Sequence, residues 1–191
     1  MNHHSCLDDP AVVSALCGSG VRWRPSRMRW GVCTEEMCFF NSAASAYFGL
    51  GKAFPILRGG TLDQRATAFL LSKLDLGEWV HVFPEGRTWQ EGGTPPRDLQ
   101  GRWCSPTGRC TPPFSKVGPF KWGIGKVIAN SKRPPIVVPM FHLGMQEFLP
   151  QSEDNEVISW IPRTGGNVTV VIGDPVPVDD LITSYHEEAE K

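Results

Sequence analysis

Apolar positions recur along the chain with two periods, and the changes between them mark out helices and strands. In TLDQRATAFLLSKLDLG, Leu62, Ala66, Phe69, Leu70 and Leu74 fall on one face of a 3.6-residue repeat. The spacing predicts a helix capped by Thr61 and stopped by Gly77. Asp9-Pro10 followed by AVVSALCG predicts another, with Asp9 as N-cap, Pro10 in the first turn and Gly18 past the end. His3 to Asp8 then form the loop entering that helix. Further helices are expected from Asn41 to Leu50, closed by Gly51, in FKWGIGKVIANS and in the terminal DDLITSYHEEAEK. Short apolar runs predict strands near Arg29 to Cys33, in AFPILRG, in EWVHVFPEG up to Pro84, around Val137 in PPIVVPMFHLG, and in NVTVVIGDPV. Strands alternating with helices give an α/β class, a single domain with a mostly buried mixed sheet flanked by helices. Arg87 to Pro119 holds 5 Gly and 6 Pro in 33 residues without periodicity, a long loop or insertion centred on 88–118.

Composition narrows the function. The 191 residues suit one domain with a sizeable core. With 19 basic and 20 acidic residues the net charge is -1, which provides no electrostatic footprint for nucleic acid. Apolar runs such as Ala68 to Leu71 are far shorter than the roughly 18 residues a membrane-spanning helix needs. The first residues show neither a secretory nor a transit pattern. Six irregularly spaced cysteines are expected to be thiols.

Chemistry concentrates in three places. In NHHSCLDDP, His3 and Asp8 would stand about 140° apart on a continuous helix and can meet only if the chain bends, which the Asp9-Pro10 helix start supplies. A loop imidazole with one nitrogen held by a carboxylate can act through the other as a general base near neutral pH. A solvated polar terminus is the plain alternative. A metal site at His3, His4, Cys6 and Asp8 is disfavoured, because no other pair has ligand spacing. The second place is FPEGR, where a strand stops in a tight turn. Glu85 can bond a hydroxyl there, and Gly86 allows close approach to the backbone. The third is Arg58, a strand-end guanidinium suited to phosphate. His81 fits a strand histidine with a satisfied hydrogen bond, His186 a solvated helix, and His142 has no clear place.

Taken in order, NHHSCLDDP, FPILRG, FPEG and VVPM resemble the four sequence blocks of the glycerophospholipid acyltransferase family, over most of Asn2 to Pro150. The resemblance implies that fold over 1–191, lacking the family's N-terminal segment and carrying the 88–118 insertion, which could cover the site. It implies His3 as general base, Asp8 as its orienting partner, and Arg58, Glu85 and Gly86 as headgroup ligands, with Phe83, Pro84 and Pro139 in the same substrate-binding blocks. The implied activity is acyl exchange between phospholipids and lysophospholipids, cardiolipin among them, with no metal, acyl-CoA or other cofactor, by peripheral contact at a mitochondrial membrane. The aromatic-rich MCFFNSAASAYFGLG is a candidate interfacial helix, with a buried core helix as the equal alternative. The chain starts one residue before Asn2, so the strand that supports this histidine in the family is missing. His3 is therefore expected to lack support on its N-terminal side, and a lipid- or partner-binding remnant with impaired catalysis is the rival expectation.

Overall fold

The computed structural model describes residues 1–22, 24–61, 63–90, 98–100, 102, 104, 110–111, 115, 117–152, 156–159 and 161–190. Leu62 and much of the 88–118 insertion lie outside them. In chain order, a π-helical turn at Asp8–Val13 runs into α1 (Ser14–Leu16), followed by α2 (Ser19–Arg22), β1 (Gly31–Thr34), α3 (Glu35–Cys38) and α4 (Ser42–Leu50). Then come β2 (Ala53–Ile56), α5 (Arg65–Asp75), α6 (Trp122–Ala129), β3 (Met140–Leu143), α7 (Met145–Phe148), β4 (Thr169–Ile172) and α8 (Asp179–Ala189). The described residues are a mixed α/β structure. In place of one mostly buried mixed sheet they form two two-stranded sheets, and most strand positions are only half-buried or exposed. The chain divides into two compact units, one of Met1–Ser14, Phe83–Lys121 and Pro139–Asp174, the other of Ala15–Val82, Trp122–Val138 and Pro175–Lys191.

In the second unit β1 and β2 pair in parallel from Gly31 opposite Ala53 to Thr34 opposite Ile56, with α3 and α4 in the crossover. Asn41 caps α4 by accepting the Ala44 N–H at 2.8 Å. The helix α5 starts at Arg65, later than the Thr61 cap predicts. Gln64 explains the delay: its amide donates to Thr61 O at 2.8 Å and accepts from Leu57 N at 3.0 Å, tying both residues to the position just before the helix. Ala66 and Leu70 of α5 are buried. Phe69 stacks on Phe54 at 4.1 Å and meets Trp30 edge-on at 4.9 Å. Lys52 and Lys73 stand 4.4 and 4.6 Å from the Trp30 ring, each cation adding about 0.5–1 kcal/mol at such partly open sites. The strand expected over EWVHVF is reduced to one bridge, Trp30 to Val80, flanked by His81 N donating to Trp30 O at 2.7 Å. His186 of α8 is not simply solvated; its Nε2 lies 2.8 Å from Ala129 O at the end of α6.

In the first unit β3 and β4 pair antiparallel, from Met140 opposite Ile172 to Leu143 opposite Thr169. Gly144, at φ 100°, ends β3 where a Cβ would lie 1.9 Å from Asn167 O, so only glycine fits. Val12, Val13, Trp89, Met145 and Leu149 are buried here, together with Asn2, His4, Ser5, Asp8, Glu85, Gln90 and His142. So polar a core must be internally bonded, because an unpaired buried polar group costs about 1–3 kcal/mol. Asp9 does not cap the first helix: the turn begins at Asp8, with Leu7 at the cap position. The sulfurs of Cys33 and Cys38, and of Cys104 and Cys110, lie at bonding distance, so these four cysteines pair where thiols were expected. Cys6 and Cys17 belong to neither pair.

Candidate functional site

The loop from His3 to Asp8 closes on a single carboxylate oxygen. Asp8 Oδ2 accepts the backbone N–H of His4 at 2.6 Å and of Ser5 at 2.9 Å, which turns the chain back on itself. His3 Nδ1 lies 2.9 Å from the same oxygen. An oxygen acceptor requires the proton on Nδ1, which leaves Nε2 for a substrate. The His3 side chain is 20% exposed and that of Asp8 0%, so the base meets solvent and its partner does not. The bend expected from Asp9-Pro10 thus comes from Asp8 itself.

Three further contacts hold His3. Its N–H donates to Glu85 Oε1 at 2.7 Å, its carbonyl accepts from Trp89 N–H at 2.8 Å, and its ring stacks on Phe83 with centroids 4.0 Å apart. On its N-terminal side, Asn2 pairs with the backbone of His142: Oδ1 accepts from His142 N at 2.8 Å and Nδ2 donates to His142 O at 2.9 Å. Residues of this chain thus hold His3 on both sides, where a lack of support on the N-terminal side was expected. Gln90 adds a tie, donating to His4 O and, at 3.1 Å, to Leu149 O, while accepting from Gln151 N at 3.0 Å.

Electrostatics separates the two carboxylates. Burial opposes charge on Asp8, but hydrogen bonds from His142 and His3, and then their charges, outweigh it and hold the carboxyl down at about 2. Burial dominates at Glu85 and pushes it up to about 7, against the N–H groups of Gly118 and His3. Glu85 is 1% exposed, and its second oxygen accepts from Gly118 N at 2.6 Å, so both oxygens are bonded to backbone. A Cβ on Gly118 would fall 2.4 Å from the Trp89 indole, so glycine at this position allows the close approach. The FPEG turn is set by Gly86 at φ 68° and by Pro84 O accepting from Lys121 N at 2.7 Å. Cys6, beside Asp8, is no rival nucleophile: burial first, then the Asp8 charge, push its thiol up against one backbone hydrogen bond.

The structure thus brings His3, Asp8, Phe83 and Glu85 together, with Pro84 and Gly86 forming the adjoining turn. Pro139 is exposed before β3, its carbonyl accepting from Gly173 N at 2.9 Å, and has no described contact with His3. Arg58 belongs to the second unit, exposed beyond β2, with Nε 4.0 Å from Glu36 Oε2. Asn2, Trp89, Gln90, Gly118 and His142 were not singled out from sequence, because each acts through a partner far along the chain. Asp98, Cys104 and Cys110 bring three potential metal-ligand atoms within 4.8 Å, but the pairing of the two sulfurs removes them as thiolate donors.

Residues 1–142 match the family described as Acyltransferase. Tafazzin of Drosophila melanogaster is 32% identical over 181 residues, covering 95% of this chain and 40% of that protein. N-acylphosphatidylethanolamine synthase of Arabidopsis thaliana is 34% identical over 178 residues, covering 93% and 55%. The protein named taffazin in Dictyostelium discoideum is 30% identical over 191 residues, covering 98% and 57%. The chain spans about half the length of these relatives.

Proposed function

The chain belongs to the acyltransferase family, and we propose that it exchanges acyl chains between phospholipids and lysophospholipids without coenzyme A, with His3 as general base. The observation that supports this is the 2.9 Å contact between His3 Nδ1 and buried Asp8, which leaves Nε2 of a part-exposed ring unclaimed by that carboxylate and able to take a proton. His3 Nε2 removes the proton from a lysophospholipid hydroxyl as its oxygen attacks the acyl carbonyl of a second phospholipid. The tetrahedral intermediate then expels the donor's glycerol oxygen, which takes the proton back from His3. One ester forms and one breaks, so no further reactant is needed. Asp8 stabilises the imidazolium between the two transfers, and such a base contributes about a hundred- to ten-thousandfold.

Arg58 is proposed to bind a phosphate oxygen, on the chemistry of an exposed guanidinium. No helix among the described residues is long and apolar enough to cross a membrane. Peripheral contact is proposed through α4, which buries no residue and exposes Tyr47 and Leu50. Glycerophospholipids including cardiolipin, at a mitochondrial membrane, are proposed on the family resemblance. The Arabidopsis thaliana relative, named for making N-acylphosphatidylethanolamine, supports a second reading in which the acceptor is the amine of phosphatidylethanolamine.

Vesicles of acyl-labelled phosphatidylcholine with lysophosphatidylglycerol, or with phosphatidylethanolamine, test both readings. Label is expected in phosphatidylglycerol and lost with His3→Ala. Label only in N-acylphosphatidylethanolamine selects the second reading, and no transfer, or transfer unchanged by His3→Ala, refutes the enzymatic one.

A further inference from the structure

His142 is the fully buried histidine of β3, and the proton transfers above make no use of it. Its Nε2 lies 3.3 Å from Asp8 Oδ2 and 3.1 Å from Asn2 O, while its Nδ1 has no partner among the described residues. The His4 ring stands edge-on to it at 5.2 Å, and His4 is turned through Nδ1 to Gln146 Oε1 at 3.2 Å.

The donors on Asp8 Oδ2 differ in where they come from. The His3 ring, the His4 N–H and the Ser5 N–H all belong to the loop that Asp8 closes, and they move with it. Asp8 Oδ1 has no partner among the described residues, so it adds no anchor. Among the described residues, His142 is therefore the one side chain from outside the loop that reaches this carboxylate, its Nε2 shared between Asp8 Oδ2 and Asn2 O, on a strand paired in register with β4. Glu85, Trp89, Phe83 and Gln90 hold the backbone of His3 and His4 and the face of the His3 ring, but none of them bonds the carboxylate that sets Nδ1, and a catalytic group must be held to within about 0.5 Å.

We propose that His142 is a positioning residue, which fixes the Asp8 carboxylate to β3 and through it sets the tautomer and place of the His3 ring. This inference rests on the acyl-transfer reading of His3 and Asp8. Changing the His142 side chain removes its contact with Asn2 O, but the two bonds from the Asn2 side-chain amide to the His142 backbone remain and keep the segment paired to β3.

Two variants of the full chain test the role. His142→Leu removes the donor, and His142→Gln places an amide nitrogen where Nε2 stands. In the vesicle assay the Leu variant is expected to lower kcat by about tenfold to a hundredfold, the loss for one hydrogen bond to a charged group, with KM unchanged. The Gln variant is expected to restore most of it. In parallel, 15N spectra of the His3 ring should show the Nδ1–H tautomer in wild type and Gln, and a tautomer mixture in Leu. Should the Leu variant unfold, His142→Asn replaces it, because its amide nitrogen stands at Nδ1 and does not reach Asp8. Equal losses in the non-bonding and Gln variants, or a wild-type kcat and tautomer in the non-bonding one, overturn the proposal. If wild type transfers no acyl chain, the functional reading fails, and the ring spectra still decide the role of His142.

Discussion

Replacing Asp8 by asparagine keeps the shape of the side chain and removes its charge. The amide oxygen can stand in for Oδ2 before its four donors, and the NH2 falls at Oδ1, where there is no partner among the described residues to clash with. The geometry is thus retained and the charge isolated. The native carboxyl sits at about 2 against an ordinary 3.8, and at about 1.4 kcal/mol per pH unit the ionised form contributes about 2 kcal/mol at neutral pH. Because the native value is depressed, the unfolded chain takes up the proton first. The contribution is full well above pH 3.8 and is lost as pH falls toward 2. Urea unfolding at pH 7 should therefore find Asp8→Asn about 2 kcal/mol less stable than wild type, with the gap closing as the medium is acidified. In the vesicle assay the imidazolium loses its counter-charge, and kcat should fall on the order of a thousandfold with little change in KM. A stability gap that does not change between pH 7 and the acid limb, or a kcat that survives, refutes the place given to Asp8.

Glu85 should show the opposite sign. Its native carboxyl is raised from 4.5 to about 7, so its contribution is full below pH 4.5 and is lost as pH rises through about 7. Relative to Glu85→Gln, wild type should lose about 3 kcal/mol of unfolding free energy between acid and mildly alkaline pH. The groups around Glu85 include Asp8 and the Met1 amino group as well as the two N–H donors, and a pH-independent difference would show that burial does not govern its charge. For membrane contact, Tyr47 and Leu50 are 69% and 87% exposed on α4, and full burial of one such side chain is worth about 1.5–3 kcal/mol. Changing both to serine should weaken co-sedimentation with anionic vesicles at least about tenfold while far-ultraviolet circular dichroism stays unchanged. Equal sedimentation of variant and wild type would remove α4 as the contact.

Local signals in the sequence were enough for local structure. Asn41 before an apolar run marked the start of α4, and the spacing of Ala66, Phe69, Leu70 and Leu74 marked α5. Both depend on neighbours within a few residues. The same signals misplaced the caps at Asp9 and Thr61, because the side chains of Asp8 and Gln64 were taken by the turns before each helix. Periodicity also predicted one buried sheet where the described strands pair two by two, since an apolar run does not state its partner. For the site, His3 with Asp8 was legible because the two meet across one turn of chain, and Glu85 because it stands in a tight turn. What each residue bonds was not legible. That Glu85 spends both oxygens on the backbone of His3 and Gly118, and that Asn2 meets His142 140 residues away, depends on chain crossings that no spacing encodes. By itself the sequence determined which residues have the chemistry, since acidity and basicity belong to side chains. Only the tertiary structure decided their states, lowering one carboxyl and raising the other, because burial and hydrogen-bond donors are properties of place.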